Sequence, residues 1–473
     1  MFQENPRGGK MKGDTAKHDK MGREESKGQA DDGSSRVITV VFLALLIDLL
    51  GFTLILPLLP SIMDYYGRTD DGIYRTLQNT VDWFSEKVGV PEERKYNSVL
   101  FGGLIGSLFS LLQFLSSPLT GAASDYFGRR LVIMVLTIGL MASYALWAVS
   151  RSFSIFLLSR VIGGICKGNV SLCTAIIADL PSPSQRSKGM AMIGVAFSLG
   201  FTFGPMIGAY FAIRATQGEI FYVGPALLAV LFSTADLAFI FLMLPETLPE
   251  KNRVASVTSG FQQSVDLLSP LSLFQFSALT AKKDAHHKES LQNLKILGLV
   301  YFLYLFLFSG LEYTLSFLTH QRFQFNSMQQ GKMFFFIGIT MAVIQGGYAR
   351  RIEPGREIKT IKRAIILLIP AFVLIGLAWS VTMLYVGLLL YSFAAAIVVP
   401  CLSTLVSAYG NVSQKGTLMG ILRSLGALAR VFGPIIASSV YWLLGAEVCF
   451  LTSSVLFVVP LLLLRHIRQT KMK

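Results

Sequence analysis

The sequence predicts an all-α membrane protein with twelve transmembrane helices in two six-helix halves. Three observations carry this. The chain has 473 residues, of which 52% are hydrophobic and only 15% charged, with a mean hydropathy of +0.56. A soluble chain carries about 25% charged residues. Apolar runs of at least about 18 residues recur along the chain, each long enough to cross a bilayer core of about 30 Å. A Gly-Pro pair also recurs at the matching helix of each half. Gly204-Pro205 lies in the fifth run and Gly433-Pro434 in the eleventh, and Lys188-Gly189 and Lys415-Gly416 precede them.

The first six spans lie near 37–60, 97–118, 131–150, 153–178, 188–213 and 221–245. The second six lie near 295–319, 329–348, 363–381, 383–408, 416–442 and 446–466. The halves are thus 37–245 and 295–466, joined by a polar stretch, 246–294, read as a cytosolic linker. Its His286-His287 pair, flanked by Lys282-Lys283 and Lys288, reads as solvated charge and not as a metal site. Residues 1–36 are rich in Gly, Lys, Asp and Glu and read as a disordered cytosolic terminus, with 467–473 as a cytosolic tail. The first apolar run begins near Val37, too deep for an ordinary signal peptide.

A net charge of +14 looks like a nucleic-acid signal, but its distribution argues otherwise. Basic residues gather in alternate loops: Arg129-Arg130, Arg186 with Lys188, Arg350-Arg351 with Arg356, and the C-terminal tail. The loop 61–96 has seven Asp/Glu against five Lys/Arg. This positive-inside pattern places both termini in the cytosol. The four cysteines, Cys166, Cys173, Cys401 and Cys449, lie in or beside apolar runs and have no zinc-type spacing, so they read as packing residues.

Between the second and third runs stands Gly121-Ala-Ala-Ser-Asp-Tyr-Phe-Gly-Arg-Arg130. Its glycines, Gly121 and Gly128, allow a tight reversal. Its charges, Asp125, Arg129 and Arg130, can pair across the turn or with a neighbouring helix end. This decapeptide closely resembles the loop between helices 2 and 3 of the major facilitator superfamily of transporters. Further motifs extend the resemblance over about residues 37–466. Arg160-Val-Ile-Gly163-Gly164 resembles the R-x-x-x-G signature of helix 4. Gly200-x-x-x-Gly204-Pro205-x-x-Gly208 resembles the helix 5 pattern associated with antiporters. Pro245-Glu246-Thr247 follows helix 6, and helix 1 carries Asp48 and ends Pro57-Leu-Leu-Pro60, as in the drug:proton antiporter branch. Within that branch the chain looks most like a vertebrate tetracycline-transporter-like group regarded as carrying organic anions. The resemblance implies gating by Gly121, Asp125, Gly128, Arg129, Arg130, Arg160, Gly204 and Pro205. One departure stands out. The second-half counterpart of the loop, Gly346-Gly347-Tyr348-Ala349-Arg350-Arg351, has no Asp matching Asp125, so the gate is expected to be one-sided.

Ionisable residues inside apolar helices are costly and usually face a water-filled pathway. Seven stand out: Asp48, Arg160, Lys167, Asp236, Glu312, Arg423 and Arg430. Arg160, Gly164, Lys167, Ser171 and Thr174 recur at intervals of three and four and share a helix face. Arg423 and Arg430 share another, and Ser309, Glu312, Ser316 and Thr319 a third. The three stripes are expected to line one cavity. Lys167 and Arg430 are placed to contact substrate, with Glu312 and Arg423 beside them and Tyr313 and Tyr304 as an apolar wall. Arg423 is equally placed to snorkel to the cytosolic side. Asp48 either locks helix 1 to Arg160 or Lys167 or couples protons. Glu312 is either a second coupling site or a partner for a cation. Asp236 is read as facing a neighbouring helix.

The expected activity is alternating-access transport of small organic solutes, above all organic anions, by a monomer in a lipid bilayer, that of the plasma membrane first and an internal membrane as the alternative. The alternative is a proton-coupled antiporter exporting neutral or cationic drugs. From another class, the alternative is a non-transporting receptor or scaffold. No P-loop, metal cluster or nucleophile–base constellation is legible, so neither enzymatic activity nor a cofactor is expected.

Overall fold

The computed structural model describes residues 33–68, 71–92, 94–213, 222–253, 269–276, 285–325, 327–409 and 414–467. Twelve long helices fill these segments. They are α1 (Gly33–Leu58), α2 (Arg94–Phe127), α3 (Arg129–Val149), α4 (Phe153–Ala178), α5 (Pro183–Ile213) and α6 (Val223–Met243). The second half comprises α7 (Ala285–Phe323), α8 (Ser327–Gly347), α9 (Glu357–Gly376), α10 (Val381–Tyr409), α11 (Lys415–Leu444) and α12 (Ala446–Arg465). His286-His287 has no described side chains, and residues 1–32 and the linker segments 254–268 and 277–284 lie outside the described residues.

Eleven of these helices are apolar enough to cross a bilayer on length and composition. The twelfth, α9, has 20 residues and carries Lys359, Lys362 and Arg363 in its first two turns. The span expected near 363–381 leaves Lys359 and Lys362 in the preceding basic loop. The helix instead starts at Glu357, because long basic side chains can lie along an apolar helix and keep their heads in water. A second departure lies in α4. Its helix breaks at Lys167 and Gly168 into Phe153–Cys166 and Asn169–Ala178.

Small residues set how the helices pack. A side chain at Gly200, Gly204 or Gly208 of α5 would strike Leu49, Thr53 or the Leu54 carbonyl of α1. The Thr53 hydroxyl donates to the Gly200 carbonyl at 2.9 Å. In the second half, Gly310 of α7 and Gly433 of α11 meet in the same manner. The Gly-Pro echo of the sequence is therefore an echo in packing, as close approach of membrane helices requires small residues. Two seams join the halves. Along one, α2 lies against α11: Ser424 Oγ donates to the Phe114 carbonyl at 2.7 Å, and a side chain at Gly420 would strike the Ser117 carbonyl. Along the other, α5 lies against α8, where Ser198 Oγ bonds Gln345 Oε1 at 2.8 Å.

The α2–α3 turn depends on Gly128, whose φ of +97° lies where side chains are strained. Glu246, after α6, accepts from the backbone N–H groups of Arg129 and Arg130 at 3.0 and 3.2 Å. It thereby satisfies two of the free amides that open α3. At the opposite end of the bundle a loop helix, Gly72–Val88, is capped by Asp71. The same carboxylate accepts from the backbone N–H and hydroxyl of Ser154 at the start of α4.

Two outcomes follow for stability. Gly128→Ala places a Cβ against Glu246 and Arg253 in an unfavourable backbone region. It should lower stability by about 1–3 kcal/mol, read as a drop in melting temperature in detergent. Partial burial pushes the Asp71 carboxyl upward, but its bonds from Ser154, Tyr74 and Ile73 outweigh this and hold it below the usual carboxylate range. A depressed carboxyl stabilises above its unfolded pKa and loses that contribution as pH falls through the folded one. The melting-temperature gap between the native chain and Asp71→Ala should therefore be widest at neutral pH and close in acid.

Candidate functional site

The loop motif builds the contact that closes one end of the bundle. The first amides of α11 have no acceptor within their own helix. Asp125 of α2 supplies one from the other half. It accepts from the N–H groups of Gly416 and Thr417 at 2.9 and 2.7 Å, and from the Thr417 hydroxyl at 2.7 Å. A carboxylate there also complements the positive end of the helix dipole. Arg129 holds Asp125 at 2.6 Å and reaches Asp179, just past α4, at 3.0 Å. All three side chains are almost wholly buried. Burial pushes the Asp179 carboxyl up, and the Arg129 guanidinium draws it back. The Thr247 hydroxyl donates to the same carboxylate at 3.2 Å. The Lys415 ammonium donates to the Ala178 carbonyl, a second tie from α11 to α4. Gly121 faces Gly416 with no room for a side chain on either. Arg130 turns outward and donates to the Phe241 carbonyl of α6. Arg350 and Arg351, the second-half counterparts, form no ion pair among the described residues.

The intramembrane charges do not share one stripe-lined cavity. They divide into two groups. In the first half, Lys167 is 2.5 Å from Asp48, with both side chains about 5% exposed or less. The ammonium also lies 4.4 Å from the centre of the Phe52 ring. Lys167, expected to touch substrate, is therefore paired inside its own half. Arg160, expected on the same face, instead lies over the rings of Trp147 and Phe156 at 5.3 and 5.6 Å. Lys167 closes the first piece of α4 about two turns beyond Arg160, whose long side chain turns instead to Trp147 of α3. Asp236 does not face only a neighbouring helix: it is 2% exposed, and Asp48 and Lys167 are its charged neighbours.

The second group lies between the halves. Arg430 donates to the Gln113 side-chain carbonyl of α2 at 3.3 Å. Arg423 lies over the Phe197 ring of α5 at 5.4 Å. Neither arginine forms an ion pair with a carboxylate within 4.0 Å among the described residues. Glu312 of α7 is exposed although it lies within the bundle, with Arg430, Tyr391 and Tyr304 around it. It thus faces an open interior space. Two members of its expected stripe do not: Ser309 packs against Gly433, and Thr319 bonds back to Leu315. Tyr304 is fully buried, stacked on Phe308, which stacks on Tyr391 at 4.7 Å, so it packs behind Phe308. Tyr313 points elsewhere. One residue beyond Glu312 is about 100° further round the helix. Its hydroxyl donates to the Val99 carbonyl at 2.9 Å, and its ring lines a side cavity of about 200 Å³ with Trp83 and Pro434.

Gln113, Tyr391, Tyr144 and Asp179 went unremarked in the sequence. Three are uncharged, and a search for intramembrane charge passes over them. Asp179 stands at the end of its apolar run, where a carboxylate reads as solvated.

Comparison with known proteins places this geometry. The Major Facilitator Superfamily matches residues 41–434. Major facilitator superfamily domain-containing protein 10 of Mus musculus is 62% identical over 91% of this chain and 92% of its own length. The crystal structure of the human organic anion transporter MFSD10 (TETRAN) is 60% identical, with a TM-score of 0.87 over 91% of this chain and 99% of that one. Tetracycline resistance protein, class B, of Escherichia coli is 25% identical over 87% of this chain and 89% of its own length. The resemblance drawn from the loop motif holds, and the chain belongs to the Major Facilitator Superfamily.

Proposed function

We propose that this protein is a secondary transporter that binds small organic anions between its halves and moves them by alternating access. One observation carries the reading. Arg423 and Arg430 face the space between the halves with a ring and a neutral amide as partners, so their charge is available to an anion. A guanidinium presents a planar fork that suits a carboxylate or sulfonate. The Phe308–Tyr391 stack supplies an apolar surface for the rest of the solute. The human relative named as an organic anion transporter supports the class of cargo.

The basic loops Arg129-Arg130, Arg186 with Lys188, and Arg350-Arg351 lie at the motif end, which makes that end and both termini cytosolic. The protein acts as a monomer in the plasma membrane. This structure is closed at the motif end. Opening it requires Asp125 to release Gly416 and Thr417, and Lys415 to release Ala178. Asp125, Arg129 and the glycines Gly121 and Gly128 form the latch. Arg160 braces α4 against α3, and Gly204-Pro205 sets α5 against α1.

A second reading has its own observation. Glu312 is a carboxylate open to the same space, suited to bind a proton or a cationic drug in turn. The tetracycline resistance relative fits this alternative.

Uptake by purified protein in liposomes, against a panel of organic anions and cations with and without a proton gradient, separates the two. Anions should be preferred, and Arg430→Ala should cut their uptake by about ten- to a hundredfold, the scale of one charged hydrogen bond. Undiminished anion uptake in that variant removes the site from Arg430; preferential cation uptake favours Glu312. Asp125→Asn removes the charge facing Arg129 and one of the two oxygens that accept from α11, a loss of about 1.5–3 kcal/mol, or about ten- to a hundredfold between the two states. Transport should slow while solute binding persists, and an unchanged rate would count against the latch.

A further inference from the structure

The buried cluster of Asp48, Lys167 and Asp236 does not balance, because Arg160, the other intramembrane cation of the first half, stands apart from it. Asp48 of α1, Lys167 of α4 and Asp236 of α6 are mutual neighbours, two carboxyls to one ammonium. Antiparallel packing brings them level. Gly51 of α1 lies against Ala229 and Phe232 of α6, so one turn back along α1 and one turn on along α6 bring Asp48 and Asp236 together. Lys167 is bonded to Asp48. Asp236 is 2% exposed, and its Oδ1 is buried with no hydrogen-bond partner.

The other groups around the cluster leave this imbalance in place. Arg160 of α4 has Tyr144 and Tyr66 as its electrostatic neighbours and is held over Trp147 and Phe156. Cys173 of α4 neighbours both carboxyls, and Arg423 of α11 reaches the cluster only as a neighbour of Cys173. From α3 comes Tyr144, whose hydroxyl is buried without a partner and has both Asp48 and Asp236 as neighbours. Ser233, one turn before Asp236, donates to the Thr137 carbonyl. The neighbouring α5 contributes Arg186, Lys188 and Tyr210, none of which neighbours Asp236. An unpaired carboxylate in such a setting is costly unless it takes up a proton.

We propose that Asp236 is a proton-binding carboxyl that shares Lys167 with Asp48, so that the three residues together hold one ion pair and one proton. Its role in coupling rests on the transport reading above. Lys167 stands at the break of α4, where a change in angle between the two helix pieces turns its ammonium from one carboxyl to the other. As it moves from Asp48 to Asp236, a proton passes from Asp236 to Asp48. No charge is created, and the cluster stays neutral throughout. Departure of the proton leaves the cluster at minus one, so its protonation responds to the charge held elsewhere in the bundle.

Infrared spectroscopy of the whole protein in lipid nanodiscs reads the proton directly, in the carbonyl stretch of protonated carboxyls and its shift in D2O. At neutral pH, Asp236→Asn should lose the intensity of one carboxyl relative to the native chain. Lys167→Gln, which removes the shared cation, should gain intensity because both acids then bind protons. Asp48→Asn should lose intensity, because the freed ammonium pairs with an ionised Asp236. A native spectrum without this band, or one unchanged by Asp236→Asn, overturns the proposal. So does a Lys167→Gln spectrum without a gain, which keeps the test alive should Asp236→Asn fail to fold. Uptake plays no part in this readout, so a failure of the transport reading and a failure of this one are seen separately.

Discussion

The two halves are joined by a helix cap that neither half can make alone. The first amides of α11 need an acceptor, and the acceptor is Asp125 on α2. Much else at that end follows from holding this carboxylate in place. Arg129 neutralises it, and Asp179 anchors Arg129 from α4. Glu246 caps the helix that carries Arg129, and Thr247 secures Asp179. Gly121 and Gly416 leave room for the two backbones to meet. A buried ion network of this kind adds little net stability over apolar packing, but breaking one member is strongly unfavourable. That asymmetry suits a contact that must be either made or fully undone.

The intramembrane charges show a division between the halves. In the first half Lys167 is matched by Asp48 at 2.5 Å with nearly no exposure, and Arg160 is buried over two aromatic rings. In the second half the arginines meet neutral or aromatic partners and face an open interior. Twofold repetition of the fold therefore does not extend to its chemistry. The glycine contacts repeat between halves, because they serve helix packing. The charges do not.

The architecture was largely legible in the chain. Apolar length and the repeated Gly-Pro pair located the helices, but α2 runs on through Gly121 to Phe127, so that Gly128 alone makes the reversal, and α7 begins at Ala285; the loop motif pointed to a contact with a neighbouring helix end. The start of α9 was missed because Lys359 and Lys362 look like loop until a bilayer interface is available to their heads. The site was less legible, for one main reason. Stripe reasoning fixes where a side chain leaves the helix and not where a long one ends, so Arg160 reads as beside Lys167 although its guanidinium lies over Trp147 and Phe156. The break at Lys167 and Gly168, which nothing in Cys166-Lys167-Gly168 announces, separates both from Ser171 and Thr174. Tyr313 shows the same limit on a finer scale, since one residue along a helix is enough to leave a cavity.

Gln113 gives the break in α4 a mechanical meaning. Its amide nitrogen donates to the Lys167 carbonyl at 3.4 Å, while its oxygen accepts from Arg430 at 3.3 Å. One side chain on α2 thus spans from the weak point of α4 to the arginine of the opposite half. Its two ends are not interchangeable, because only the oxygen can face a guanidinium and only the nitrogen can face a carbonyl. A solute that takes Arg430 for itself leaves that oxygen without its donor. The amide then has reason to turn, and turning it lets go of α4 at the one place where that helix is already open. Occupancy on one side of the protein becomes slack on the other, carried by a residue with no charge.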